Sequence, residues 1–199
     1  MSGAPFHYDP AIKRYFFKKV PDSEVEKTLI ARAQDVRAFV CPELRIEPPK
    51  IVWLRPAPPN AKREPLKFNY QEELDAIVRV PIDVQNGTGV TPQNLDEIWI
   101  PSDLTAHPNL EYVVAHELRH VAQKKHCPDV FADRCRAEGD AYPYGYEVLK
   151  QYFAAAGRLT DELRQELDRQ ETETQKWFPT SYPHGEYKTV QCLPPGQSL

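Results

Sequence analysis

The amino-acid sequence predicts a compact α+β fold. The chain has 199 residues, a length that suits one domain with a sizeable core. Segments with apolar residues at helical spacing lie on both sides of short segments rich in β-branched and aromatic residues. This order predicts an N-terminal helix, a small sheet and then further helices that pack with it.

The first half of the chain supplies the predicted N-terminal helix and the sheet. The helix covers residues 23–40, with Ser23 as its N-cap and Pro42 just beyond its end. A small mixed or antiparallel sheet follows, and its predicted strands are 51–57, 76–84 and 97–101. Residues 86–89, with the sequence NGTG, supply turn chemistry between the last two strands.

The second half of the chain is predicted to be mainly helical. One helix covers residues 108–125, and another covers 136–157 with a kink or break at Gly139, Pro143 and Gly145. A third, strongly charged helix at 160–177 has the composition of a solvated surface helix. We therefore expect one domain over residues 1–177 and a proline-rich tail over 178–199.

Charge and cysteine content limit the class of protein. The net charge of −4 comes from interspersed acidic and basic residues, without the basic stripe that binds a phosphate backbone. No signal peptide or transmembrane segment is recognisable, which predicts a soluble, cytoplasmic protein without a nucleic-acid or membrane partner. The four cysteines are expected to be reduced thiols, although Cys127 and Cys135 could pair in an oxidising compartment.

The segment VVAHELRHVAQKKH, residues 113–126, carries the chemistry of the chain. His116 and His120 are four residues apart, so their side chains lie about 40° apart on neighbouring turns of one helix and can contact one metal ion. Glu117 lies between them around the helix and could contact a metal-bound water as a general base. An apolar stripe would anchor this helix in the core, formed by Val114, Leu118 and Val121.

The motif His-Glu-x-x-His, present as HELRH, resembles the signature of the zincin metallopeptidases. The resemblance covers mainly residues 95–150. It implies a zincin-like domain with Zn²⁺ as cofactor and a protein or peptide as substrate. It also implies a zinc-bound water that Glu117 activates for attack on a peptide carbonyl.

Two residues compete to be the third metal ligand. Glu138, eighteen residues after His120 on the next predicted helix, resembles the glutamate ligand of gluzincins, and its segment resembles the Glu-x-x-Ala segment of ImmA/IrrE-type peptidases. The residues that share its helix face include Ala141 and Gly145, whose small side chains allow the first helix to approach closely. Glu138 is therefore our predicted ligand.

His126 is the alternative third ligand, because its spacing from His120 matches the metzincin pattern. In a continuous helix, however, His126 would lie about 9 Å further along the axis than His120 and about 120° away around it. Metzincins break the helix with a glycine, but Gln123 occupies that position here, where a left-handed conformation costs about 1–2 kcal/mol. The methionine of the metzincin turn also has no counterpart, since Met1 is the only methionine.

Supporting residues are less well specified by the sequence. Ligating histidines usually donate their second ring nitrogen to a carboxylate or a carbonyl, and Asp140 is our preferred partner, with Asp133 and Glu147 also available. Donors that could stabilise the oxyanion of the transition state are, by chemistry alone, Tyr142, Tyr144, Tyr146 and His184.

Two other functions use the same motif. In the first, a non-catalytic metal-binding or protein-interaction module, a fourth protein ligand would close the site, and Cys127, Cys135 or Cys192 could supply it. In the second, a metal-dependent hydrolase acts on a bond other than a peptide bond. For the peptidase, the predicted strand EIWIP at 97–101 is where an extended substrate could pair through its backbone.

Overall fold

The described part of the chain has a mixed α+β architecture, which confirms the α+β part of the prediction. A computed structural model describes residues 7–9, 14–56, 77–81 and 97–192. Within these ranges a small mixed sheet is followed along the chain by a group of helices, and one helix lies between strands in sequence. No helix of these ranges is both long enough and apolar enough to cross a bilayer.

The sheet is built around its second strand. Its strands are β1 (His7–Asp9), β2 (Arg14–Val20), β3 (Lys50–Pro56), β4 (Ile77–Pro81) and β5 (Glu97–Pro101). β2 pairs antiparallel with β1, β3 and β4, whereas β3 pairs parallel with β5. The strands β3, β4 and β5 were predicted, and β1 and β2 were not. Residues 57, 76, 82–84 and 86–89, which belong to predicted strands and a predicted turn, lie outside the described residues.

Five α-helices are described, and the second and fourth carry the predicted metal ligands. They are α1 (Lys27–Leu44), α2 (Asn109–His126), α3 (Pro128–Ala132), α4 (Arg134–Ala155) and α5 (Asp161–Ser181). α2 packs most extensively against α4 and α1. The core lies between the sheet and these three helices, with Trp53 and Ile98 from the strands against Val36, Leu118 and Phe153.

The first helix differs from its prediction at both ends. Ser23 belongs to a short 3-10 turn, Asp22–Glu24, and α1 starts at Lys27, so Ser23 does not cap it. Pro42 lies inside the last turn, because burial of the neighbouring Cys41 and Leu44 offsets the hydrogen bond that a proline removes. Arg45 then ends the helix in the left-handed conformation, with a φ of 53°.

The second half contains two further differences. α4 is one helix from Arg134 to Ala155, without the break predicted around Pro143, because buried side chains pack it on both sides of the proline. α5 continues to Ser181, past the predicted helix end at residue 177, since Phe178 is buried. Residues 182–192 then pack against α4, and residues 193–199 lie outside the described ranges.

Candidate metal centre

The two histidines of the HELRH motif lie side by side on the buried face of α2. The Nε2 atoms of His116 and His120 are 3.0 Å apart, and the ring centroids are 4.7 Å apart. Their side chains are only 5% and 10% exposed. The helical spacing therefore brings two potential metal-binding nitrogens to one point, as the sequence predicts.

Glu138 reaches the same point from α4. Its Oε2 atom is 3.3 Å from Nε2 of His116 and 3.7 Å from Nε2 of His120. This oxygen is buried and has no hydrogen-bond partner of good geometry. An oxygen in that state between two imidazole nitrogens has the chemistry of a metal ligand.

The spacing of the three donor atoms fits a tetrahedral zinc ion. Ligands about 2.0–2.1 Å from such an ion lie about 3.3 Å from one another. The three separations here are 3.0, 3.3 and 3.7 Å, which scatter around that value. Two imidazoles and a carboxylate also form a donor set that zinc accepts. The residues present therefore fit the ion that the sequence motif implies.

Opposite charges on His120 and Glu138 attract each other within the cluster. Burial lowers the pKa of His120, but the charges of Glu138 and Glu117, together with hydrogen bonds, outweigh burial and raise this pKa to about 9. Burial raises the pKa of Glu138, yet the neighbouring histidines hold it well below its ordinary value. A metal ion would therefore compete with a proton for His120, whereas Glu138 is already ionised.

Glu117 is buried beside the ligands, at 3% exposure. Its charge contributes to the raised pKa of His120 and to that of Tyr142. A carboxylate in this position is suited to accept a proton from a water molecule at the cluster.

Gln123 supports His120, a role that was not predicted from the sequence. Nδ1 of His120 lies 2.8 Å from Oε1 of Gln123. The amide nitrogen of Gln123 donates to the carbonyl of Ala137 at 2.8 Å and to Oδ2 of Asp140 at 2.6 Å, which fixes the amide orientation. Gln123 therefore accepts a hydrogen bond from Nδ1–H of His120, which leaves Nε2 as the ring nitrogen that could bind a metal.

Asp140 does not contact a ligating histidine directly, although this was predicted, but contacts Gln123, which in turn contacts His120. The carboxylate is fully buried, and it binds Arg119 through two hydrogen bonds of 2.8 and 2.9 Å in addition to Gln123. It thus acts on His120 through an amide, because the side chain of Gln123 occupies the space between them. A polar residue at i+3 from a ligating histidine, on the same helix face, is the sequence signal that points to Gln123.

The four predicted oxyanion donors have different surroundings in the structure. The ring of Tyr142 lies 4.8 Å from that of His116, and burial together with the charge of Glu138 raises its pKa, which keeps the hydroxyl protonated. The Tyr144 hydroxyl donates to Glu43, the Tyr146 hydroxyl is bound to Thr174, and His184 is exposed on the segment after α5. Of the four, Tyr142 is the residue in ring contact with a ligand.

Tyr182 is a second tyrosine near the cluster, and it was not predicted. Its ring lies 6.2 Å from that of Tyr142, and burial and the charge of Glu138 raise its pKa. Its position in a segment without clear periodicity gave no sequence signal.

The alternative ligand His126 ends α2 away from the cluster. Its Nε2 atom lies 3.3 Å from the carbonyl oxygen of Arg45. Because α2 continues through Gln123 without a turn, the helix carries His126 away from the face that bears His116 and His120.

The cysteines do not join the metal ligands. Cys127 forms a disulfide with Cys192, with their Cα atoms 5.6 Å apart, so the prediction of four reduced thiols is wrong for these two, and Cys127 does not pair with Cys135. The reason is that the segment after α5 brings Cys192 to the C-terminal end of α2. Cys41 and Cys135 are free thiols, and the metal-ligand cluster found among the described residues contains His116, His120 and Glu138.

Comparison with known proteins adds no relative. None of the protein-family models, curated proteins or solved structures that were compared matches this chain.

Proposed function

We propose that the protein is a zinc-dependent metallopeptidase. The observation that carries the proposal is the convergence of His116, His120 and Glu138, from two helices, at the spacing of zinc ligands. Glu117, buried next to them, supplies the carboxylate that hydrolysis needs. The function rests on this site and on its resemblance to the zincin motif, and not on the fold alone.

The number of ligands favours a catalytic metal over a structural one. Structural zinc sites are closed by four protein ligands, whereas catalytic sites use three and keep one position for water or substrate. The cluster found in the described part of the chain has three, and its Glu138 side chain retains 18% exposure. Cys127 and Cys192, which could have closed the site, are bonded to each other.

The residues around the cluster divide the work of peptide hydrolysis. When bound, a zinc ion supplies Lewis acidity that makes water more acidic and polarises a carbonyl group. Glu117 accepts a proton from the attacking water and delivers it to the nitrogen of the leaving amine. The protonated hydroxyl of Tyr142, next to His116, is our preferred additional donor to the oxyanion.

The fifth strand supports a peptide as the substrate. β5 pairs with β3 and leads towards α2 along the chain. In the described sheet it is the last strand of the order β1-β2-β3-β5, so an extended peptide could add to its other edge by backbone hydrogen bonds.

Replacing Glu117 by glutamine tests the proposal directly. Glu117→Gln keeps the volume and removes the base, so it should lower the turnover of a peptide library by about 10²- to 10⁴-fold while zinc content stays the same. Glu147→Gln, the same change at an exposed position of α4, is the matched control and should leave turnover unaltered.

Three outcomes would contradict the peptidase. Absence of zinc from the purified wild-type protein would contradict a zinc site at these three residues. Turnover that survives Glu117→Gln would exclude Glu117 as the general base. Zinc binding without hydrolysis of any peptide, ester or small amide would favour the non-catalytic metal-binding module.

A further inference from the structure

The chain between Pro183 and Cys192, here called the C-terminal strap, packs closely against the start of α4. The backbone N–H of Lys188 donates to the carbonyl of Gly139 at 2.9 Å. A methyl group at Gly139 would lie 2.1 Å from the carbonyl oxygen of Glu186, and one at Gly185 would lie 2.5 Å from that of Cys135. Such contacts require glycine at both positions, so the strap is fitted to the helix that bears Glu138.

The strap enters the buried ion pair between α2 and α4. The N–H of Val190 donates to Oδ1 of Asp140 at 2.6 Å, and the guanidinium of Arg119 donates to the carbonyl of Val190. Asp140 and Arg119 are 0% and 4% exposed. A charge pair at that depth is stable only with its hydrogen bonds complete, and the backbone of Val190 completes them.

This ion pair is connected to a metal ligand by an unbroken series of hydrogen bonds. Val190 contacts Asp140, Asp140 accepts from Gln123, and Gln123 accepts from His120. Each distance is between 2.6 and 2.8 Å. A shift of the strap therefore alters the hydrogen bonds that orient the imidazole.

A covalent bond fixes the end of the strap. Cys192, two residues after Val190, is bonded to Cys127, which follows directly after the last residue of α2. The helix that carries both histidines is thus tied to the segment that completes the support of His120.

From these contacts we propose that the C-terminal strap is a positioning element of the metal centre, and that the Cys127–Cys192 disulfide sets how tightly the centre retains zinc. The inference rests on the metal-binding part of the proposed function. It does not require that the bound metal hydrolyses peptides.

The test measures zinc affinity in cysteine variants of the full chain. Cys192→Ala should raise the Kd for zinc by about 5- to 10-fold, less than the roughly 10- to 100-fold expected for loss of a direct partner of a ligand. Cys127→Ala and the double variant should match it, because all three lose the same bond. Affinity is read by competition with a chromophoric chelator, and melting of the zinc-free protein is recorded alongside.

Two further variants separate positioning from general stability. Cys41→Ala removes a cysteine that is 1% exposed in the core, so it should lower the melting temperature and leave the zinc Kd unchanged. Gln123→Met keeps the volume but breaks the series of hydrogen bonds, and it should raise the Kd by about 10- to 100-fold. Adding Cys192→Ala to Gln123→Met should then have little further effect.

If the cysteine variants fail to fold, reduction of the wild-type disulfide replaces them. A trialkylphosphine takes the oxygen of a water molecule to form its oxide, while each sulfur gains one electron and one proton. The reduced protein, freed of phosphine, should bind zinc as weakly as predicted for the cysteine variants.

A zinc Kd that is the same with and without the disulfide, together with a lowered melting temperature, would overturn the positioning role. A wild-type protein that binds no zinc would overturn the proposed function as well. Zinc binding that depends on the disulfide without any peptidase turnover would support the inference and contradict the peptidase.

Discussion

The two imidazoles of the candidate metal centre have different surroundings, although they lie on one helix and four residues apart. His120 is held by hydrogen bonds, since its Nδ1 contacts Gln123, which is bound in turn to Asp140. Nδ1 of His116 is buried without a hydrogen-bond partner in the described part of the chain. The ring of His116 lies instead against Tyr142 and Tyr112, with centroids 4.8 and 6.0 Å away.

The difference suggests a division of labour within the site. A hydrogen-bonded series fixes the tautomer and orientation of His120 before an ion binds. On the His116 side, aromatic rings contact the imidazole, and the Tyr142 hydroxyl, which is hydrogen-bonded to Tyr182, is the candidate donor to a substrate. We therefore expect changes on the His120 side to affect stability and metal affinity, and changes on the His116 side to affect turnover.

The largest effect is expected from Asp140→Asn on the His120 side. The substitution leaves the guanidinium of Arg119 buried without its charged partner, which should lower the free energy of unfolding by about 3–5 kcal/mol. Urea denaturation of the zinc-free protein measures this change.

Asp168→Asn provides the matched control for that measurement. Asp168 also pairs with a cation, Lys150, but its side chain is 55% exposed, so the loss should be about 1 kcal/mol or less. Equal losses at the two positions would show that the Asp140 network does not stabilise the fold.

The protonation of His120 should make zinc affinity and zinc-free stability depend on pH with opposite signs. Its pKa is raised to about 9 in the folded, metal-free protein. The resulting stabilisation is complete below the unfolded pKa, about 6.5, and is lost as the pH rises towards 9. Zinc must displace this proton, so its affinity should rise with pH over the same range, by up to about tenfold per unit.

Chelator competition and urea denaturation between pH 6 and pH 9.5 check the two slopes. His120→Ala removes the titrating group and should flatten the slope of zinc-free stability. A wild-type affinity that does not change over this range would contradict displacement of a proton from His120.

The sequence was most informative where helical periodicity determines which side chains share one face of a helix. The spacing of His116 and His120 predicts two side chains on one helix face, and the small residues near Glu138 predict close approach of α4. Both expectations concern neighbours within a few residues. The structure accordingly brings all three side chains together.

Features that depend on distant pairing were missed or misplaced. The strand β2, with the sequence RYFFKKV, lacks simple alternation of apolar and polar residues, and two of its three partners, β3 and β4, lie far along the chain. The i+3 spacing of Gln123 from His120 is a local signal, but the orientation of its amide depends on Asp140, seventeen residues later, which packs beside it. The Cys127–Cys192 pair closes 65 residues of chain, a pairing that spacing alone does not reveal.

Removing one hydroxyl on the His116 side tests whether that side affects turnover. Tyr142→Phe keeps the ring against His116, so zinc affinity should not change. If the hydroxyl donates to the oxyanion, kcat should fall by about 10- to 100-fold, the value of a hydrogen bond of roughly 1.5–3 kcal/mol to a charged group, with little change in KM.

Tyr144→Phe is the matched control, because it makes the same change two residues away on α4 where the hydroxyl is bound to Glu43. Its kcat should stay at the wild-type value, and its cost should be limited to about 1 kcal/mol of stability. Equal kcat values for the two variants would exclude Tyr142 as the oxyanion donor and direct attention to Tyr182, whose ring lies 6.2 Å from that of Tyr142. A fall in zinc affinity for Tyr142→Phe would instead mean that the His116 side, like the His120 side, serves to hold the metal.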